Sequence, residues 1–276
     1  VVVVDAVAPA VALSSTLKKV QANEVALITL AFTEDPGSSF GLEDLALADD
    51  TLGTLGSIAG EGLTRTVTFT PNMGVTGQAV IRVESGTFAD AAGNPNADGF
   101  EADNQVTLAV DTQGATVTAA NFGVANAAAS GIFKRGETLN LRWDNSATGD
   151  HNDDVATVVI RIAPSGVGTS TGTGTPAAPT VVALDDADGD GIWTGSIAVN
   201  ALPAQQGDAA VSIAVTDRSN NVVTLVDDTA VKVDNVVPTL LGVTRTEGAT
   251  AADPVAFTLH FSEAVQGMDL SSTAIL

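Results

Sequence analysis

Cysteine and tyrosine are absent from this 276-residue chain, and histidine and tryptophan occur only twice each. Without cysteine there can be no disulfide, no thiolate metal site and no thiol nucleophile. Any stiffness must therefore come from packing or from bound metal. Aromatic residues make up 4% of the chain, so no sugar-stacking cleft is suggested. No apolar run reaches the roughly 20 residues of a membrane-spanning helix, and direct membrane insertion is not expected. Basic residues number 11 against 33 acidic ones, a formal net charge of -22. That balance excludes the basic footprint of a nucleic-acid binder.

Catalytic signatures are equally scarce. There is no Gly-x-Ser-x-Gly, phosphate loop or dinucleotide fingerprint. Ser15-Thr-Leu-Lys18 matches Ser-x-x-Lys but falls at a strand end rather than on a helix. His151 sits in an acidic turn, and His260 should face outward from a strand. Neither has a nucleophile near it in sequence. The chain does not read as an enzyme.

What the sequence does have is aspartate, 24 residues against 9 glutamates. Asp suits turns and oxygen-ligand loops, whereas Glu suits helices. The sharpest cluster is Asp185–Trp193, where Asp186, Asp188 and Asp190 alternate and Gly191 follows. That is the opening of a calcium loop. A helix-loop-helix site would need a glutamate where Ile197 stands, so this is a calcium-type turn between two strands. Trp193 then enters the core, as Trp143 does.

Period-two alternation runs through the chain and predicts strands. Ala26, Ile28, Leu30 and Phe32 share one face. So do Leu63, Val67 and Phe69, then Ala79, Ile81 and Val83, then Val106, Leu108 and Val110. Further on, Leu139, Leu141 and Trp143 alternate, as do Ala156, Val158, Ile160 and Ile162. Ile192–Val199, Val211–Val215 and Val222–Val233 supply later strands. Val255, Phe257, Leu259 and Phe261 repeat the pattern of residues 26–32, and Phe261-Ser-Glu263 matches Phe32-Thr-Glu34. Pro164–Thr180 is rich in Gly, Thr and Pro and reads as a loop. No long stretch has an apolar face at helical spacing.

One punctuation occurs three times, at Val4-Asp5, Val110-Asp111 and Val233-Asp234, each after an apolar strand. The intervals of roughly 100–125 residues are those of β-sandwich domains. The expected division is therefore the last strand of a preceding repeat at 1–4, sandwiches at 5–111 and 112–234, and an incomplete repeat at 235–276.

These residues resemble the tandem immunoglobulin-like repeats of giant calcium-binding bacterial surface adhesins and biofilm proteins. The marks are the Val-Asp-x-x-x-Pro linkers, the Phe-Thr-Glu34-Asp35 and Phe-Ser-Glu263 turns, and Thr-Phe88-x-Asp90-Ala-Ala-Gly-Asn94. In the second unit they are Leu-Arg-Trp143-Asp-Asn-Ser-Ala-Thr-Gly-Asp150 and the Asp-Gly-Asp-Gly-Ile-Trp193 turn. The linker Asp111-Thr-Gln-Gly departs from the pattern by lacking proline. The resemblance implies an all-β fold of tandem immunoglobulin-like antiparallel β-sandwich domains joined by short linkers, with calcium at the junctions.

In such a sandwich the loops after strands two, four and six share a pole with the incoming linker. In the second unit that gathers Asp111, Asp144, Asp150, Asn152, Asp154, Asp186, Asp188, Asp190, Asp217 and Asn221. In the first it gathers Asp5, Glu34, Asp35, Glu61, Asp90 and Asn94. Asp234 would begin the third pole. Hard oxygen donors in flexible loops suit Ca2+ over zinc or copper. Lys18, Lys19, Lys134 and Arg135 fall at the opposite poles, where they would face the acidic end of the next unit.

The expected protein is a structural segment of a large bacterial extracellular or cell-surface protein, an adhesin stalk or a filament subunit stiffened by calcium. Its partners would be neighbouring repeats or copies of itself head to tail, and a cell-surface or matrix ligand. The alternatives are a self-assembling surface layer and a non-catalytic accessory module of a secreted enzyme. Strand exchange between chains, through Val1–Val4, is a further alternative.

Overall fold

The computed structural model describes residues 4–97, 102–126, 128, 131–164, 178–245 and 257–268, with the backbone alone at 228–230. Val1–Val3, the stretch 165–177 and Val255 lie outside the described residues. The described chain forms strands linked by turns and a few single-turn 3-10 segments, as the alternation predicts.

Unit one contains β1 (Val11–Ser15), β2 (Lys19–Gln21), β3 (Ala26–Phe32) and β4 (Leu45–Leu47). It continues with β5 (Gly53–Leu55), β6 (Thr64–Pro71), β7 (Thr76–Val83) and β8 (Gln105–Asp111). Two sheets face each other, β1-β3-β6-β5 and β2-β8-β7-β4. The first edge is split between them: β1 pairs antiparallel with β3, and β2 pairs parallel with β8. Ala26, Ile28, Leu30, Phe69, Ala79, Ile81, Val83, Leu108 and Val110 are all but excluded from solvent between the sheets. One residue departs from the pattern. Leu63 precedes β6 and is exposed, while Arg65 takes the inward-facing position and is buried.

Unit two contains β9 (Phe122–Val124), β10 (Phe133–Lys134), β11 (Thr138–Asp144) and β12 (Val155–Pro164). Then come β13 (Thr180–Leu184), β14 (Ile192–Ala198), β15 (Gln206–Asp217) and β16 (Val222–Asp234). Its sheets are β9-β11-β14 and β10-β16-β15-β12-β13. The fourth strand therefore changes sides relative to unit one. In unit one β4 has three residues and pairs only with β7, so β5 joins the other sheet beside β6. In unit two β12 has ten residues, enough edge to pair with β15 on one side and β13 on the other. Trp143, Leu139, Leu141, Ile160, Ile162 and Ile213 fill the core. Ala156 is exposed, contrary to the alternation, because the register of β12 shifts between Val155 and Thr157. Such a bulge flips the faces that follow.

A further hairpin joins β17 (Leu240–Arg245) to β18 (Phe257–Phe261). Leu240, Leu241, Val243 and Phe257 are exposed on it. No helix among the described residues is long and apolar enough to cross a membrane.

Candidate functional site

The topology sends three pieces of each unit to one pole: the incoming linker, the loop after β3 or β11, and the loop after β7 or β15. In unit one, Asp5, Glu34 and Asp90 present carboxylate oxygens within 4.8 Å of one another. In unit two, Asp111, Asp154 and Asp217 do the same within 4.8 Å. The third such cluster is Asp186, Asp188 and Asp190 in the β13–β14 turn.

The last two loops of the two units are built alike. Asp90 Oδ1 accepts the Ala92 and Asn94 amides at 2.8 and 2.9 Å, and Oδ2 accepts Asn94 Nδ2 at 2.8 Å. Asp217 Oδ1 accepts the Ser219 and Asn221 amides at 2.7 and 2.8 Å, and Oδ2 accepts Asn221 Nδ2 at 2.8 Å. Each asparagine also reaches the linker: Asn94 Nδ2 donates to the Asp5 carbonyl at 3.4 Å, and Asn221 Nδ2 to the Asp111 carbonyl at 3.3 Å. The Asp-x-x-x-Asn spacing thus closes a turn and clips it to the incoming chain. Asn221 is 6% exposed, and its Oδ1 has no hydrogen-bond donor. A buried amide oxygen without a donor is costly. A cation would satisfy it.

Charges interact within the first cluster. Burial first, then the nearby charges of Asp5 and Asp90, push the Glu34 carboxyl above its ordinary range. Asp90 is held below its ordinary value, chiefly by the Asn94 side chain and then by backbone amides of its turn.

The loop from Thr33 to Asp44 is held from beneath. Phe32, Phe40 and Phe88 stack edge to face at centroid distances of 4.9–5.4 Å. Phe40 and Phe88 each anchor a loop that carries a carboxylate of the first cluster. The Arg65 guanidinium lies 5.6 Å from the Phe32 centroid and 5.8 Å from that of Phe40. It donates to the Phe40 and Gly37 carbonyls at 3.2 and 2.6 Å and lies 3.5 Å from Asp35. Asp35 is therefore tied to Arg65 and stands outside the cluster. We expect Arg65→Met to lower the stability of unit one by about 2 kcal/mol, since it removes two hydrogen bonds to carbonyls and a longer one to Asp35 from a charged donor. Calorimetry should show the first unit's transition move while unit two's stays in place.

Three other expected ligands are taken by the protein itself. Asp150 accepts Trp143 Nε1, Asn121 Nδ2 and the Thr118 hydroxyl at 2.7 Å, and the Thr118 amide at 3.1 Å. It ties the segment before β9 to the loop after β11. Asn152 brackets Thr116, accepting its amide at 2.7 Å and donating to its carbonyl at 2.8 Å. Asp144 accepts Ser146 Oγ and amide at 2.7 and 3.0 Å and pairs with Arg142 at 2.8 Å. The Ser146 side chain, then Arg142, holds its carboxyl below the usual range. Sequence gives residue type and pole, but not these local competitors for each oxygen.

The β13–β14 turn packs on the same loop. The Asn145 amide donates to the Gly191 carbonyl at 2.8 Å. Gly191 has φ 83°, and an added Cβ would come within 2.8 Å of the Ser146 Cα. Only glycine serves there. Asp190 Oδ1 accepts the Ile192 amide at 2.7 Å, and Asp186 Oδ2 the Gly191 amide at 3.2 Å. Asp186 Oδ1 has no donor.

Asp234 is joined to Glu263 through Gln206. Gln206 Nε2 donates to Asp234 Oδ2 at 3.2 Å and to Glu263 Oε2 at 3.0 Å. Asp234 Oδ1 and Glu263 Oε1 are both buried without a donor. Glu263 holds the position of Glu34 in its repeat, a match already present in Phe-Ser-Glu against Phe-Thr-Glu. Among the four basic residues expected at the far poles, Lys19 lies 3.5 Å from Asp111. No ion pair among the described residues involves Lys18, Lys134 or Arg135.

Residues 5–110 match the bacterial Ig-like domain family. That range covers the first Ig-like unit, from its linker aspartate to the penultimate residue of β8. No curated protein matches the chain. Solved structures that align with it include FdeC, an Escherichia coli adhesin, at 17% identity over 81% of this chain and 63% of that one, TM-score 0.40. Invasin, a bacterial integrin-binding protein, aligns at 14% over 92% and 48%, TM-score 0.33. A Bacteroides ovatus protein, SGBP-B, in complex with a mixed-linkage heptasaccharide, aligns at 14% over 85% and 48%, TM-score 0.18. The chain thus spans 63% or less of each of these structures, and overlays at such scores carry no functional argument.

Proposed function

We propose that the chain is a structural segment of a bacterial surface or secreted protein, its Ig-like units held in line by calcium at the carboxylate clusters. The observation that carries this reading is the recurrence of one ligand set, linker Asp plus one acid from each of two loops, in Asp5–Glu34–Asp90 and Asp111–Asp154–Asp217. An ion there would tie the linker to the unit that follows and so remove bending freedom. The donors are all oxygen, as calcium prefers. Asn221 Oδ1, Asp186 Oδ1, Asp234 Oδ1 and Glu263 Oε1 are buried without donors, which fits cation coordination. Without an ion, the gathered carboxylates repel one another and loosen the poles. A stiff extension of this kind would hold an adhesive or assembling part away from a cell.

The test is calcium titration against EDTA. Extracellular modules bind calcium with Kd of ~10⁻⁴–10⁻³ M. At ten times Kd each site should stabilise its unit by about 1.4 kcal/mol. We expect raised unfolding temperatures together with a longer, narrower small-angle scattering profile in calcium. Identical profiles and temperatures in calcium and EDTA would sink the reading. Sheets or filaments in negative-stain images that dissolve in EDTA would turn it toward a surface lattice or polymer.

A further inference from the structure

We propose that Lys19 is a resident counter-cation of the junction between the two Ig-like units, one that latches them without metal and competes with a divalent ion for Asp111. The second half rests on the calcium reading above; the first does not.

Lys19 opens β2, whose parallel pairing with β8 sets Gln21 opposite Asp111. That places its ammonium at the end of unit one where the chain crosses to unit two. Lys19 Nζ is 3.5 Å from Asp111 Oδ2 and donates to Ser219 Oγ, which itself donates to Asp111 Oδ2. Ser219 is 1% exposed and lies between Asp217 and Asn221 in the unit-two turn. One ammonium therefore joins unit one, the linker and the cluster loop of unit two. Asn220 Nδ2 adds a 3.5 Å contact to Gln21 Oε1 across the same junction.

Asp111 is also a member of the cluster with Asp154 and Asp217, and Asn221, bonded to Asp217 and 6% exposed, carries an amide oxygen with no donor. A cation entering there meets a carboxylate already occupied. Oδ2 serves Lys19 and Ser219, and Oδ1 accepts Thr76 Oγ1 at 3.2 Å. Binding must draw an Asp111 oxygen away from the ammonium or hold two positive charges on one carboxylate. Either lowers affinity. The Lys19 side chain is 43% exposed, which gives the lysine room to swing out into solvent. The first cluster has no such rival. Among the described residues no ion pair engages Asp5, Glu34 or Asp90. The junction cluster should therefore load at a higher calcium concentration than the first.

The test exploits the absence of cysteine. Thr54→Cys and Ala183→Cys, both at exposed strand positions, take a fluorophore pair that reads the distance between units. Lys19→Met and Lys19→Arg are compared with the unsubstituted lysine, and tryptophan fluorescence checks that unit two is folded. In EDTA we expect K19M to broaden the distance distribution while K19R keeps it narrow. In calcium titrations K19M should narrow at an approximately fivefold lower calcium concentration. An unchanged distribution for K19M in EDTA would overturn the latch. A midpoint equal to or above that of the unsubstituted protein would overturn the competition. If calcium leaves every variant unchanged, the calcium reading and the competition fall together, and the EDTA comparison still decides the latch.

Discussion

Trp143→Ala should unfold unit two at a markedly lower temperature while leaving unit one in place. Trp143 is fully buried at the penultimate position of β11. Removing an indole from such a site costs about 3–5 kcal/mol through lost transfer energy and the cavity left behind. The substitution also removes the 2.7 Å bond from Nε1 to Asp150. Asp150 would keep Thr118 and Asn121, but its charge would lose a donor inside the loop it organises. The expected loss therefore lies toward the upper part of that range.

The readout is unusually selective. Both tryptophans belong to unit two, and the chain has no tyrosine. Trp193 packs against Trp143 with centroids 6.3 Å apart, so it remains as a reporter in the variant. Its emission should shift red at the lowered transition. Calorimetry should retain a second transition, from unit one, at its original temperature. If both transitions moved together, the two cores would be one cooperative unit and the independence of their separate clusters of buried side chains would be wrong.

Asp217→Ala should cost unit two about 3–4 kcal/mol. The carboxylate is 1% exposed and accepts three hydrogen bonds at 2.7–2.8 Å. Bonds to a buried charge are worth about 1.5–3 kcal/mol each and are not additive. Without them the 217–221 turn loses its closure, and Asn221 loses its clip to the linker. Asp217→Asn separates the two roles of this residue. Its carbonyl can still accept the Ser219 and Asn221 amides, but its NH₂ faces the Asn221 NH₂. It should fold with a smaller loss, about 1–2 kcal/mol. Its calcium-induced stabilisation of unit two should disappear, because a neutral amide replaces one of three ligand charges. Thermal unfolding of both variants in calcium and in EDTA measures this. A full calcium response in D217N would remove Asp217 from the ion site and leave it a turn residue.

Much of the fold is legible in the sequence. A strand exposes alternate residues to opposite faces, so Ala26, Ile28, Leu30 and Phe32 could be assigned to one core-facing row from spacing alone. The same holds for Leu139, Leu141 and Trp143. The carboxylate cluster of Asp186, Asp188 and Asp190 was visible because its residues alternate within five positions of the sequence. Topology then extended the reach of the sequence. Once the chain is a Greek-key sandwich, the loops after strands two and six and the incoming linker must meet. That reasoning placed Asp111, Asp154 and Asp217 at one pole although they are far apart in the chain.

Tertiary structure alone decided the rest, because period two names a face and not a partner. It could not tell that Arg65, in an inward row beside Val67 and Phe69, would lie against Phe32 and Phe40 and hold the loop that carries Glu34. It could not tell that a bulge would turn Ala156 outward, or that the length of β12 would draw β13 into the five-stranded sheet. Among the acidic residues of one pole, composition assigned a charge to each but not its surroundings. Asp144 proved to be occupied by donors from its own strand and loop, and Asp150 and Asn152 by donors from the segment before β9, whereas Asn221, Asp234 and Glu263 hold oxygens that no protein donor reaches. A carboxylate has a fixed number of lone pairs, and only the packed structure determines which groups come close enough to use them.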